Sequence, residues 1–78
     1  MISCINIDDE PLALKQIATY IAKTPFLELK KSFESPLNAL TYLQNNEVDL
    51  LFVDINMPDL NGMDFVKSLT NPPKIIFE

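Results

Sequence analysis

Seventy-eight residues, 47% of them hydrophobic and 22% charged, make at most one small domain, too apolar for a disordered segment and able to bury only a modest share of its surface. The net charge of −5 sets eleven acids against six Lys with no Arg and no His, which removes bidentate guanidinium contacts to nucleic acid, Ser-His or Cys-His catalysis and any His-based metal site. A single Gly excludes the Gly-rich loops that cradle phosphates.

Ile2 to Ile7 (ISCINI) is rich in β-branched residues and stops at acids, which reads as a strand. Cys4 within it reads as a small buried residue, and a lone Cys forms no intrachain disulfide. The opening MISCINIDDEP has no basic start and turns acidic at Asp8, unlike a signal peptide. No apolar run approaches the length of a membrane span, so a cytoplasmic location without membrane contact is expected. Glu10-Pro11 opens a helix, because Pro suits the first helical turn. Leu14, Ile17, Ala18 and Ile21 form its buried stripe, and Thr24-Pro25 stops it.

Phe26 to Phe33 (FLELKKSF) alternates, with Leu27, Leu29 and Phe33 on one face and Glu28, Lys30 and Ser32 on the other. This is the pattern of a half-solvated edge strand guarded by charge. Ser35-Pro36 supplies a cap and a first-turn Pro, and Ala39, Leu40 and Leu43 continue a helical stripe as far as Asn45-Asn46. Leu50 to Val53 (LLFV) is a short apolar run ending in Asp54. It suits a central parallel strand covered on both faces, although four residues do not by themselves separate strand from helix. The turn NMPDLNG follows, then a helix from about Met63 with Phe65, Val66 and Leu69 as its stripe, a break at Asn71-Pro72-Pro73, and a strand at Lys74 to Phe77. The order βαβαβαβ with short connections implies an α/β fold with a parallel sheet and right-handed crossovers.

In such sheets ligands bind beyond the carboxyl ends of the strands, where the strand order reverses. The first strand ends in Asp8-Asp9 and the third in Asp54. If these strands are neighbours, three carboxylates converge, and like charges so placed raise one another's pKa or recruit a cation. An all-oxygen donor set suits a hard ion such as Mg2+. Each acid also has an ordinary reading. Asp9 or Glu10 is a candidate cap for the first helix, and Asp54 a turn acid after a strand. Met57 and Leu60 read as loop packing, and Gly62 as a backbone requirement.

Asp8-Asp9-Glu10-Pro11-Leu12-Ala13 and Asp54-Ile55-Asn56-Met57-Pro58-Asp59-Leu60-Asn61-Gly62 together resemble the receiver domain of two-component response regulators. The opening is most similar to receivers that precede LytTR-type DNA-binding domains. The resemblance runs the whole length, with residues 1–78 as the N-terminal part of a single receiver domain. It implies a three-layer flavodoxin-like sheet in the order 2-1-3-4. It also implies Asp54 as the phosphoacceptor, Asp9 as a direct Mg2+ ligand, Asp8 as its partner acting through water, and Asn56 as a backbone-carbonyl ligand. Met57-Pro58 matches the pair that shapes the turn. The implied donor is a phosphohistidine on a sensor histidine kinase, the implied output a DNA-binding domain elsewhere in the regulator, and no enzyme activity is implied.

Receivers continue beyond a fourth strand to a Ser or Thr, a fifth strand ending in Lys, and a last helix. Here Glu78 stands near the hydroxyl position and that Lys is not reached. The expectation is therefore a fragment whose Asp54 is phosphorylated slowly or not at all, and a homo-oligomer formed through an exposed strand 4 or an uncovered sheet face. Two alternatives stay open. One is an interaction module that is not phosphorylated. The other is a phosphotransferase of the haloacid-dehalogenase type, although that family wants an Asp where Asn56 stands.

Overall fold

In the computed structural model, which describes residues 1–54 and 73–77, the chain runs β1 (Ile2–Ile7), α1 (Pro11–Ala22), β2 (Leu27–Phe33), α2 (Pro36–Asn45), β3 (Leu50–Val53) and β4 (Lys74–Phe77). All pairings are parallel, and the strand order is β2-β1-β3-β4. β1 and β3 are therefore central neighbours, and both run toward the same end of the sheet. The expected third helix, together with Asn56, Met57, Pro58, Leu60 and Gly62 of the preceding turn, lies outside the described residues.

Both described helices start where their first-turn Pro predicts. Ser35 caps α2 by accepting the N–H of Asn38 at 3.4 Å. Glu10 is the cap residue of α1 but makes no side-chain cap bond. The stripe of α1 points inward as its spacing requires, with Ile21 buried deepest. On one face of the sheet Ile5, Ile7, Leu51 and Val53 pack with Phe33 and Ala39, and Leu40, Tyr42, Leu43 and Val48 close over them. Each such aliphatic side chain, fully buried, contributes roughly 1.5–3 kcal/mol of transfer free energy. The ring of Phe33 meets that of Tyr42 at a centroid distance of 5.4 Å.

The simple alternation read for β2 is corrected by the register. β1 pairs Cys4 with Leu29 but Ile5 with Lys31, an irregularity that skips Lys30. An extra residue in one strand flips every later side chain to the other face. Ser32 consequently shares a face with Asn6, opposite Phe33, and bonds to it. Phe33 does not lie beside Leu27 and Leu29; it enters the core under α2. The outer edge still carries charge, since Lys30 pairs with Glu28 at 2.8 Å. An exposed pair of this kind adds little stability, but it guards an open edge.

At the amino end of the sheet Asp49 joins three strands. Its carboxylate accepts from the N–H and hydroxyl of Ser3 at 3.0 and 3.1 Å. Its own N–H donates to the Ser3 carbonyl, and its carbonyl accepts the N–H of Lys74. This clamp fixes β1 against β3 and β4 at the end remote from the acids.

Candidate functional site

Backbone pairing delivers the acids to one place. As β1 ends, the N–H of Asp8 donates to the Phe33 carbonyl at 3.0 Å, and the N–H of Asp54 donates to the Ile7 carbonyl at 3.1 Å. Both acids thus continue the hydrogen-bond ladder one step past their strands, at the carboxyl ends of the two central strands. One carboxylate oxygen from each of Asp8, Asp9 and Asp54 lies within 4.8 Å of the others. Asp8 is buried at 7% exposure, Asp54 is half-buried and Asp9 is exposed. The juxtaposition expected from the sequence is present for all three acids, whereas Asn56 lies outside the described residues.

Asp8 has the most constrained environment. Its Oδ1 accepts the N–H of Glu10 at 2.9 Å, so Asp8, rather than Asp9 or Glu10, satisfies the donor at the entrance to α1. Burial, the largest effect, pushes the Asp8 carboxyl above its usual range. The Glu10 N–H opposes that rise, while the charges of Asp54 and Asp9 and a hydrogen bond with Asp54 add to it. A partly desolvated carboxylate beside two like charges favours any species that brings positive charge, whether a proton or a metal ion.

The chemistry of the donor set says which cation fits. All three ligand atoms are carboxylate oxygens, and no His or thiolate takes part. Hard divalent ions choose such sites, and Mg2+ is commonly held by one or two protein carboxylates with water and phosphate oxygens completing its shell.

The family described as response regulator receiver domain matches residues 4–77. The chain belongs to that family. Protein MrkE of Klebsiella pneumoniae is 34% identical over 76 residues, covering 94% of this chain and 28% of MrkE. The transcriptional regulatory protein YpdB of Escherichia coli is 33% identical over 94% of this chain and 31% of its own length. The chain thus spans between 28% and 34% of the length of the curated relatives it matches. The crystal structure of the response regulatory domain of MrkE superposes with a TM-score of 0.81 at 33% identity, covering 96% of this chain and 64% of that one. A complex of the P1 domain of CheA3 with CheY6 from R. sphaeroides matches with a TM-score of 0.82 at 28% identity, over 97% of this chain and 61% of that one. The parallel sheet in the order 2-1-3-4 is the flavodoxin-like sheet of a receiver, as the two motifs implied.

Sequence reasoning passed over two features next to these acids. Asn6, 1% exposed near the end of β1, donates from Nδ2 to the Leu14 carbonyl at 3.0 Å and accepts the Ser32 hydroxyl. Its signal was available, as an amide between Ile5 and Ile7 in a strand rich in β-branched residues. The Phe33 carbonyl that holds Asp8 left none, because a backbone group is the same in every residue.

Proposed function

We propose that this receiver takes a phosphoryl group on Asp54 from a phosphohistidine of a sensor histidine kinase, in a Mg2+-dependent reaction. The observation that carries this reading is the convergence of Asp8, Asp9 and Asp54 within 4.8 Å at the carboxyl ends of adjacent strands. In the transfer an Asp54 carboxylate oxygen attacks phosphorus in line as the phosphorus–nitrogen bond to the donor imidazole breaks. The imidazole leaves with the bonding pair, and the product is an acyl phosphate on Asp54.

Asp8, Asp9 and Asp54, with the backbone carbonyl of Asn56, would hold the Mg2+. When bound, the ion neutralises phosphoryl oxygens and offsets the repulsion among the acids. Asp9 is the exposed ligand and Asp8 the buried one, so Asp8 sets the polarity of the floor while Asp9 meets incoming solvent. The chain is a signalling module rather than a classical enzyme, since the accepting group is its own side chain. The name of YpdB, a transcriptional regulatory protein, supports a DNA-binding output for the whole regulator. The CheA3–CheY6 complex supports a kinase-side partner.

Incubation with acetyl phosphate and Mg2+, followed by intact mass measurement, tests the reading. One added phosphoryl group, labile to hydroxylamine and lost in Asp54→Asn or in chelator, is the expected result. Labelling that persists in Asp54→Asn, or no labelling with excess donor, overturns it.

A further inference from the structure

Asn6 is nearly inaccessible, at 1% exposure, one residue before the end of the central strand β1, where an aliphatic side chain would be the ordinary occupant. Its amide reaches both ways across the sheet face. Nδ2 donates to the Leu14 carbonyl in the first turn of α1 at 3.0 Å, and Oδ1 accepts the Ser32 hydroxyl on β2. Among the described residues no buried side-chain polar atom lacks a partner, so each polar atom of this network has at least one. Burying an amide costs free energy that an aliphatic residue would not, and a satisfied network returns geometric definition.

The definition falls on a particular segment. Asn6 and Leu14 are eight residues apart, and the stretch they close contains Asp8 and Asp9. Asp8 is pinned within it by the Phe33 carbonyl and by the Glu10 N–H. The cap residue of α1 offers no side-chain bond of its own. Beside the Asp8 bond to the Glu10 N–H, the Asn6–Leu14 bond is a second side-chain tie that holds the first turn of α1 over the end of β1. The irregularity that skips Lys30 is what brings Ser32 onto the face of Asn6 and completes the network.

We propose that Asn6, oriented by Ser32, is a positioning residue for the acidic pocket: it clamps the first turn of α1 to β1 and so holds Asp8 and Asp9 at the spacing that Mg2+ requires. This deepens the proposed function and rests on it. Groups that hydrogen-bond metal ligands directly commonly govern about ten- to a hundredfold in affinity, and Asn6 acts one step further back, through Leu14, so the lower end of that range applies. Replacing both members of a buried hydrogen-bonded pair with apolar groups of similar shape is close to neutral for stability, so positioning and folding are separable here.

The test compares the chain with Asn6→Leu/Ser32→Ala, measuring Mg2+ affinity by calorimetric titration, thermal midpoint, and amide hydrogen exchange of the metal-free proteins. The expected result is Mg2+ binding about tenfold weaker, faster exchange at the Glu10 amide, and an unchanged or higher midpoint. Ser32→Ala alone keeps the Leu14 bond and stays between the two. Unchanged affinity in the folded double variant overturns the proposal and leaves Asn6 a packing residue. If the double variant does not fold, Asn6→Ser, too short to reach Leu14, is measured in the same way, and wild-type affinity there overturns the proposal too. Absence of Mg2+ binding by the unsubstituted chain sinks the pocket reading itself, a result distinct from equal affinities.

Discussion

The N–H of Asp54 donates to the carbonyl of Ile7 at 3.1 Å, so the acid that ends β3 is bonded to the residue immediately before the acids that end β1. Parallel neighbours in register make this unavoidable, since Ile7 pairs with Val53 and each strand gives way to its acid one residue later. Spatial convergence of residues 46 positions apart in the chain (54 minus 8) thus needs no loop to fold onto another. It is fixed by strand order and register, the most rigid features available.

Asp8 is expected to weaken the metal-free fold near neutral pH. Its folded carboxyl titrates above its unfolded value, so between those values the folded chain binds more protons than the unfolded one. Stability contributed by this group is therefore present at low pH and lost as pH rises through that window. Asp8→Asn keeps an oxygen for the Glu10 N–H and removes the charge. Its thermal midpoint should exceed that of the parent at neutral pH and converge with it in acid. Thermal melts of both proteins in chelator check the sign.

Mg2+ should reverse that deficit. At ten times its dissociation constant a ligand stabilises by about 1.4 kcal/mol, a shift on the order of 4–8 °C per kcal/mol for a domain of this size. The parent should show this shift when Mg2+ is added and lose it on chelation, while Asp9→Asn and Asp8→Asn should show little. Equal shifts in all three proteins would place the ion elsewhere.

Leu51 is inaccessible at the centre of β3, whereas Leu12 is 64% exposed on α1. Leu51→Ala should cost about 2–5 kcal/mol, a large part of the stability of so small a domain. Leu12→Ala should stay within about 0.5 kcal/mol. Urea titration of both variants supplies the comparison, and near-equal midpoints would contradict this placement of β3.

The alternating order, the apolar run at Leu50 to Val53 and the acids at two strand ends were legible because each is a local pattern with a single physical reading. Pro11 and Pro36 marked the starts of both described helices for the same reason. The irregularity at Lys30 was not legible. It depends on how β2 registers against β1, and FLELKKSF alternates plausibly without it. The capping of Glu10 by Asp8 was hidden as well, because Asp8, Asp9 and Glu10 are all acceptors and only the path of the chain selects among them. Asn6 was visible as an anomaly, but its partners lie on two other elements.

Ser35→Ala should destabilise α2. A cap of this kind contributes typically about 1 kcal/mol, and the long 3.4 Å contact to Asn38 places it toward the lower end of the range. Ser35→Asp should recover or exceed the parent, because a carboxylate also favours the positive end of the helix. Chemical denaturation orders the three proteins, and an alanine variant as stable as the parent would show the cap to be idle.

Asp49 should show the opposite pH dependence to Asp8. The N–H and hydroxyl of Ser3 both donate to its carboxylate, and these bonds, the backbone one foremost, hold its carboxyl below the usual range. The folded chain here binds fewer protons than the unfolded one between the two values. The contribution is thus fully present above the ordinary carboxylate value and is lost as pH falls through the depressed one. Asp49→Ala should therefore lower the thermal midpoint at neutral pH and lose that deficit in acid, whereas Asp8→Asn gains at neutral pH and loses its gain in acid. Both carboxylates lie beside β1, one at each end, so a general effect of net charge would move the two variants in the same direction. Melts of parent, Asp8→Asn and Asp49→Ala across the acid range in chelator separate the cases. Curves that diverge from the parent with opposite sign at neutral pH support local control by burial and by the Ser3 bonds. A shared sign would mean that the excess of acids over lysines governs the titration instead.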